Sequence, residues 1–172
     1  MLSIATEIPV ALHAGASIEV DFTATLQFLR SLNLLALGTR SESDAQNTDA
    51  GHDFARLEAK IDMLVAMVGS LVAAEARLPP RRPVRLSAES LEVNLVTTVA
   101  DGAAVIVELY PSAELPRALR LPATVREARA GADGAQDLTL RFGPLDPAVS
   151  DELERYIFLR HRHALVRDAR ES

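Results

Sequence analysis

The sequence predicts an α+β chain: a small antiparallel β-barrel, a long heptad-repeat helix ahead of it, an N-terminal helix and a C-terminal helix. Three observations carry that reading. Between residues 54 and 78, apolar residues recur at alternating spacings of three and four, the period of a helical seam. Beyond Pro79-Pro80 the period drops to two, in short Val- and Leu-rich runs separated by turn residues. After Asp146-Pro147 a helical stripe returns. The chain accordingly divides into an accessory segment at 1–52, a self-association helix at 53–79 and a barrel with its closing helix at 80–172.

Residues 1–20 alternate weakly, with short extended pieces expected near 8–12 or 18–20. Asp21 is placed to cap a helix over 22–37, whose Phe22, Leu26, Leu29 and Leu32 share one face. Gly38 suits the left-handed position past its end. Residues 39–52 are rich in Ser, Asp, Asn and Thr, the composition of a linker.

The heptad stretch follows. Phe54, Ile61, Val68 and Glu75 occupy a positions, and Leu57, Leu64, Leu71 and Leu78 occupy d positions. Asp53 can cap it, and Pro79-Pro80 ends it because proline has no N–H to donate. An isolated helix of this length is marginal in water, so the seam calls for a partner. Burying each large a or d side chain contributes about 1.5–3 kcal/mol. Ile and Val at a with Leu at d suit a parallel dimer. Val65 and Val72 at e, with Met67 and Ala74 at g, widen the stripe beyond a dimer seam towards four helices. The expected interface is therefore Phe54, Leu57, Ile61, Leu64, Val68, Leu71 and Leu78, in a homotetramer, with a dimer as the alternative.

Strands are expected at 84–87, 91–99, 103–110, 118–128 and 137–142. Ala100-Asp101-Gly102 reads as a hairpin connection and Asp133-Gly134 as another turn. Pro122 marks its strand as an edge or as bulged. Successive strands with short turns imply a meander closed into a barrel. In the last helix Leu153, Tyr156, Ile157 and Ala164 form the apolar stripe. Its acidic residues lie early and Arg160 to His163 late, as the helix dipole favours.

Composition narrows the function. The 172 residues are 48% hydrophobic but 4% aromatic, so a core must rest on Leu, Val and Ala. Cysteine is absent, which removes disulfides and thiolate chemistry and agrees with a reducing cytoplasm. No apolar run is long enough for a membrane span, and the start lacks signal-peptide order, so a cytoplasmic protein without membrane insertion is expected. Net charge is −6, with −5 carried by residues 1–79 and −1 by residues 80–172, which argues against a nucleic-acid partner.

No enzyme signature emerges. There is no nucleophile elbow, no phosphate-binding glycine loop and no helical His pair of a metalloprotease. His161 and His163, two apart, point in different directions on a helix, so no metal site is expected. The cationic cluster Arg81, Arg82 and Arg85, with Ser87 just after it, is the candidate ligand site, because guanidinium matches phosphate oxygens or a guanine edge in bidentate fashion. A solvated linker paired with Glu89 or Glu92 explains the same residues without a ligand.

From Arg81 to about Arg162 the chain resembles a PilZ domain, a bacterial module associated with cyclic di-GMP. The resemblance rests on Leu86-Ser-Ala-Glu-Ser-Leu-Glu-Val93, the turn at Asp101-Gly102, Leu138-Thr-Leu-Arg-Phe142 and Glu152-Leu-Glu-Arg-Tyr-Ile157. It implies a β-barrel flanked by helices. In that family ligand binding uses an Arg-x-x-x-Arg arm and an Asp/Asn-x-Ser-x-x-Gly strand motif. Arg81 and Arg85 reproduce the first spacing, and Ser87 the serine of the second. Arg85 stands where Asp or Asn is expected, Ser90 where Gly is expected, and the two motifs overlap. Losing the acceptor removes a hydrogen bond to a guanine amine, and the Ser90 side chain hinders close backbone approach. A long heptad helix before the barrel is similar to the tetrameric, atypical PilZ subgroup. The resemblance implies a non-enzymatic, self-assembling adaptor for signalling or motility proteins, without a cofactor and with weak or absent direct cyclic di-GMP binding. The alternative is a direct cyclic di-GMP receptor using the Arg81–Arg85 arm.

Overall fold

In the computed structural model, residues 2–15, 20–38, 61, 64, 68, 78–113 and 115–171 are described. Six strands close into a barrel in the order β1-β2-β3-β6-β5-β4. They are β1 (Ser3–Ala14), β2 (Arg81–Ser87), β3 (Ser90–Val96), β4 (Ala104–Leu109), β5 (Leu119–Ala130) and β6 (Ala135–Phe142). Helix α1 spans Phe22–Gly38 and helix α2 spans Pro147–Glu171.

Alternation places one face of each strand inside. Val84 and Leu86 of β2, Leu91, Val93 and Leu95 of β3, and Val105, Val107 and Leu109 of β4 are buried. Leu119, Leu121 and Val125 of β5 and Leu138, Leu140 and Phe142 of β6 complete the filling. The interior is almost wholly aliphatic, as a chain with 4% aromatics requires. Phe28, Leu29 and Leu32 of α1 and Val149, Leu153, Tyr156 and Ile157 of α2 join the same core. Phe22 and Leu26 pack at its margin, half-buried. Ala164, expected on the apolar stripe of α2, is exposed, while Val149 and Leu159 are buried.

The cap expected at Asp21 forms, Asp146 caps the second helix in the same way, and Asp53 lies outside the described residues. Asp21 Oδ1 accepts from Ala24 N at 3.0 Å, and Asp146 Oδ1 from Ala148 N at 2.9 Å. Asn33, 2% exposed, ties α1 to α2 by donating Nδ2 to Glu152 O at 3.0 Å and to Glu152 Oε2 at 2.7 Å.

The structure differs from the sequence reading in four places. First, β1 is a full stave. Ser3–Pro9 pairs with β2 and Val10–Ala14 with β4, so the barrel closes only through a segment expected to be accessory.

Second, the barrel is not a simple meander, because β3 and β4 are not neighbours. Residues 97–103 cross the ends of β6 and β5 instead of turning a hairpin. Gln136 Oε1 accepts from Val99 N at 2.9 Å, Asp101 Oδ1 accepts from Ala128 N at 2.8 Å, and Gly102 N donates to Val125 O at 2.8 Å.

Third, β5 is bulged, as expected, but not at Pro122, which lies inside the strand opposite Ile106; the bulge sits further on between Val125 and Glu127. A residue's N–H and C=O point to the same side of a strand. Pro122 O accepts from Gly143 N, one residue past the end of β6, so the missing N–H faces a place where the neighbour has stopped. Pro9 repeats the arrangement, its carbonyl accepting from Tyr110 N just past β4.

Fourth, Leu78, expected as the last d position, is not helical. The residue before a proline is pushed towards extended backbone, and Pro79 follows it. Ile61, Leu64 and Val68 are helical, with exposures of 51%, 61% and 59%. Phe54, Leu57 and Leu71 lie outside the described residues.

The turn at Asp133-Gly134 is present between β5 and β6, with φ of 54° and 74° at the two residues. Among the described residues no helix is long and apolar enough to cross a membrane.

Candidate functional site

Strand alternation decides what the arginine cluster can do. Arg81, Pro83 and Arg85 fall on the outer face of β2, and Val84 and Leu86 on the inner one. Arg82 has the inner parity, is half-buried and pairs in register with Ile8 of β1. Arg81 and Arg85, four strand residues apart, are separated by about 13 Å along the sheet. They share a face but do not converge.

Each has a different neighbour. Arg81 Nη2 donates to the Glu7 carbonyl of β1. Arg85 faces Glu92, its cross-strand partner, with Nε 3.7 Å from Oε2. Both side chains are well exposed, at 64% and 57%, so the pair contributes a fraction of a kcal/mol at most.

Ser87 serves the turn. It is 2% exposed, and its Oγ accepts from Ser90 N at 3.0 Å and Glu89 N at 3.3 Å. Ser90 Oγ lies 2.8 Å from the same oxygen. These contacts close the step from β2 to β3 and leave the hydroxyl fully engaged. The Ser90 side chain fills the space that a glycine would leave open.

Beside Arg85 the outer faces of β2, β3, β5 and β6 form a shallow groove of about 370 Å³. Its cations are Arg85 and Arg129, and its anions Glu92, Glu127 and Asp137. Arg129 Nε is 2.6 Å from Glu127 Oε1, and Asp137 Oδ1 accepts from Asn94 Nδ2 at 2.6 Å. With three carboxylates against two paired guanidiniums, the groove repels a dianion.

A cluster absent from the sequence reading joins three strands. Glu108 of β4, 9% exposed, receives Arg120 Nε of β5 at 2.8 Å and the Tyr110 hydroxyl at 3.2 Å. His13 Nε2 of β1 stands 3.2 Å from Glu108 Oε2. Burial alone would raise the Glu108 carboxyl, but His13 and Arg120 outweigh it and hold the group below the usual carboxylate range. Burial, with the Glu108 charge beside it, pushes the Tyr110 phenol up. Among the described residues no three His, Asp or Glu side chains gather as metal ligands do.

A family model described as "atypical PilZ domain, cyclic di-GMP receptor" matches residues 29–171. The chain belongs to the atypical PilZ domain family. A similar solved structure is a protein from Xanthomonas campestris, described as a tetrameric PilZ domain self-assembled through a helical bundle. It shares 27% identity at a TM-score of 0.82, over 96% of this chain and 91% of that one. Two further structures align over about half of this PilZ chain. The PilZ domain of YcgR from Escherichia coli, solved with cyclic di-GMP, is 24% identical over 53% of this chain and 75% of that one, at a TM-score of 0.37. The inhibitor of motility of Bacillus subtilis is 19% identical over 48% of this chain and 42% of that one, at 0.40. No curated protein matches.

Proposed function

We propose that this PilZ protein is a non-enzymatic adaptor in cyclic di-GMP signalling. It assembles through residues 53–79, as a tetramer, and displays its barrels to a signalling or motility protein. One observation carries the reading: Ile61, Leu64 and Val68, at successive a, d and a positions, are helical yet 51–61% exposed in a single chain. Large aliphatics at helical spacing left half in water are a surface waiting to be covered. The Xanthomonas relative, described as self-assembled by a helical bundle, supports a second copy as the cover. Copies in one particle raise avidity for a partner without any new contact.

Direct cyclic di-GMP binding is weak or absent. Ser87 is engaged in its turn, Arg85 faces Glu92, and the adjoining groove is net acidic. The competing reading, a receptor using Arg81 and Arg85, draws on their common outer face.

Two measurements on one sample separate these readings. Light scattering gives a four-subunit mass for the wild type and a smaller mass for Leu64→Asp, with an unchanged β-sheet signal. A monomeric wild type ends the assembly proposal. Calorimetry with cyclic di-GMP gives no micromolar binding, whereas binding lost on Arg85→Ala establishes the receptor instead.

A further inference from the structure

The described part of the molecule holds a second cavity, and its charge is opposite to that of the groove beside Arg85. About 340 Å³ in volume, it opens where β1, the start of β2, both helices and the segment after β4 meet. Arg81 reaches it from β2, and Arg160 and His163 from α2. Strand and helix thus bring together basic side chains that are 79 and more residues apart in sequence. The dipole explains why basic residues suit the later half of α2, but not why two of them border the same hollow as Arg81.

We infer that this cavity binds a small phosphate-bearing molecule through Arg81 and Arg160. Among the described residues neither guanidinium is in an ion pair. Arg81 gives one N–H to the Glu7 carbonyl, which fixes its position and leaves the rest of its fork for a ligand.

The charge balance favours an anion. Among the described residues of the lining, two guanidiniums face one carboxylate, Glu7. The carboxyl end of α1 also reaches the rim at Leu35 and Ala36. It contributes about half a negative charge, too little to cancel the surplus. This positive site lies in a chain whose net charge is −6.

The remaining wall shapes the ligand. Tyr110, Leu32 and Leu35 supply apolar surface, which suits a planar or aliphatic body attached to the phosphate. The volume is near the lower end for small-molecule sites, which fits a mononucleotide better than a dinucleotide. The inference depends neither on self-assembly nor on the Arg85 face.

Calorimetry on the full chain tests it with three probes: inorganic phosphate, guanosine monophosphate and cyclic di-GMP. The monophosphate is expected to bind at least about tenfold more tightly than either of the others. Arg160→Gln and Arg81→Gln each weaken it by about tenfold or more, the loss of one charge-assisted contact. Arg85→Gln, on the other groove, leaves it unchanged. Arg160 is exposed, so Arg160→Gln keeps the wild-type melting temperature and reads binding alone. No heat with any probe at millimolar concentration overturns the site, as does an affinity indifferent to Arg160→Gln. Equal affinity for inorganic phosphate and the monophosphate overturns the role given to the apolar wall. Preference for cyclic di-GMP overturns the mononucleotide assignment.

Discussion

Glu108 provides the sharpest test of how the barrel is closed. The carboxylate joins β4 to β5 through Arg120 and stands beside His13 of β1, so Glu108→Gln strikes the seam where the first strand docks. Glutamine preserves shape and an acceptor for Tyr110 but removes the charge that Arg120 meets at 2.8 Å. Hydrogen bonds to charged groups contribute about 1.5–3 kcal/mol each. Arg120 is 55% exposed and regains water when released, so the lower end applies, about 1.5–2 kcal/mol. For a chain of this size that lowers Tm by about 3–8 °C. The pH dependence has a fixed sign. The folded-state carboxyl titrates below its ordinary value of 4.5, so between the two pKa values the unfolded chain binds more protons and stability rises with pH. The contribution is present above about pH 4.5 and is lost as pH falls through the folded value. Thermal melts by circular dichroism at pH 7 and at pH 4 measure it: the gap between wild type and Glu108→Gln is expected to shrink in acid. An equal gap at both pH values, or none at pH 7, would refute the claim that an ionised Glu108 clamps these strands.

Three further outcomes follow from the same structure. Ser87→Ala removes the acceptor for Ser90 N and Glu89 N, so urea unfolding should show a loss of about 1–3 kcal/mol with no change in particle mass. Deleting residues 2–14 leaves facing edges of β2 and β4 unpaired, and gel filtration should show aggregation in place of a discrete species. A soluble, cooperatively melting truncation would contradict the role given to β1. Asn33→Ala strips the buried link from α1 to Glu152 and should cost about 1–2 kcal/mol in the same urea assay, whereas an unaltered midpoint would leave that link without energetic weight.

How much was legible in the sequence follows the range of the forces involved. Strands β2 to β6 and both helices were readable because alternation, stripes and caps are local, and Asp21 and Asp146 each act within three residues. Strand β1 was hard to see because Thr6 and Pro9 interrupt the aliphatic alternation of Ile4, Ile8 and Val10. The path from β3 to β4 was misread for another reason. Ala100-Asp101-Gly102 has hairpin chemistry, but its partners Val125 and Ala128 lie tens of residues away and send the chain across the barrel. The arginine cluster was found in sequence but read as one site. Alternation puts Arg81 and Arg85 on the outer face, Arg81 beside the cavity that α2 borders and Arg85 opposite Glu92, and gives Arg82 the inner parity, opposite Ile8. Glu108, His13 and Arg120 carried no signal, since no spacing relates side chains that meet only across three strands.

The position of Pro9 has a consequence for biosynthesis. Strand β1 leaves the ribosome ahead of the other five strands, yet its partners run from Arg81 to Leu109 and it must wait for all of them. Until then both of its rims are open to stray pairing with other nascent chains. A proline at the point where β1 passes from one neighbour to the other takes a donor out of that exposed ribbon without removing any hydrogen bond from the finished protein. The same residue that obscures the strand in the sequence thus leaves it with one donor fewer to offer a stray edge.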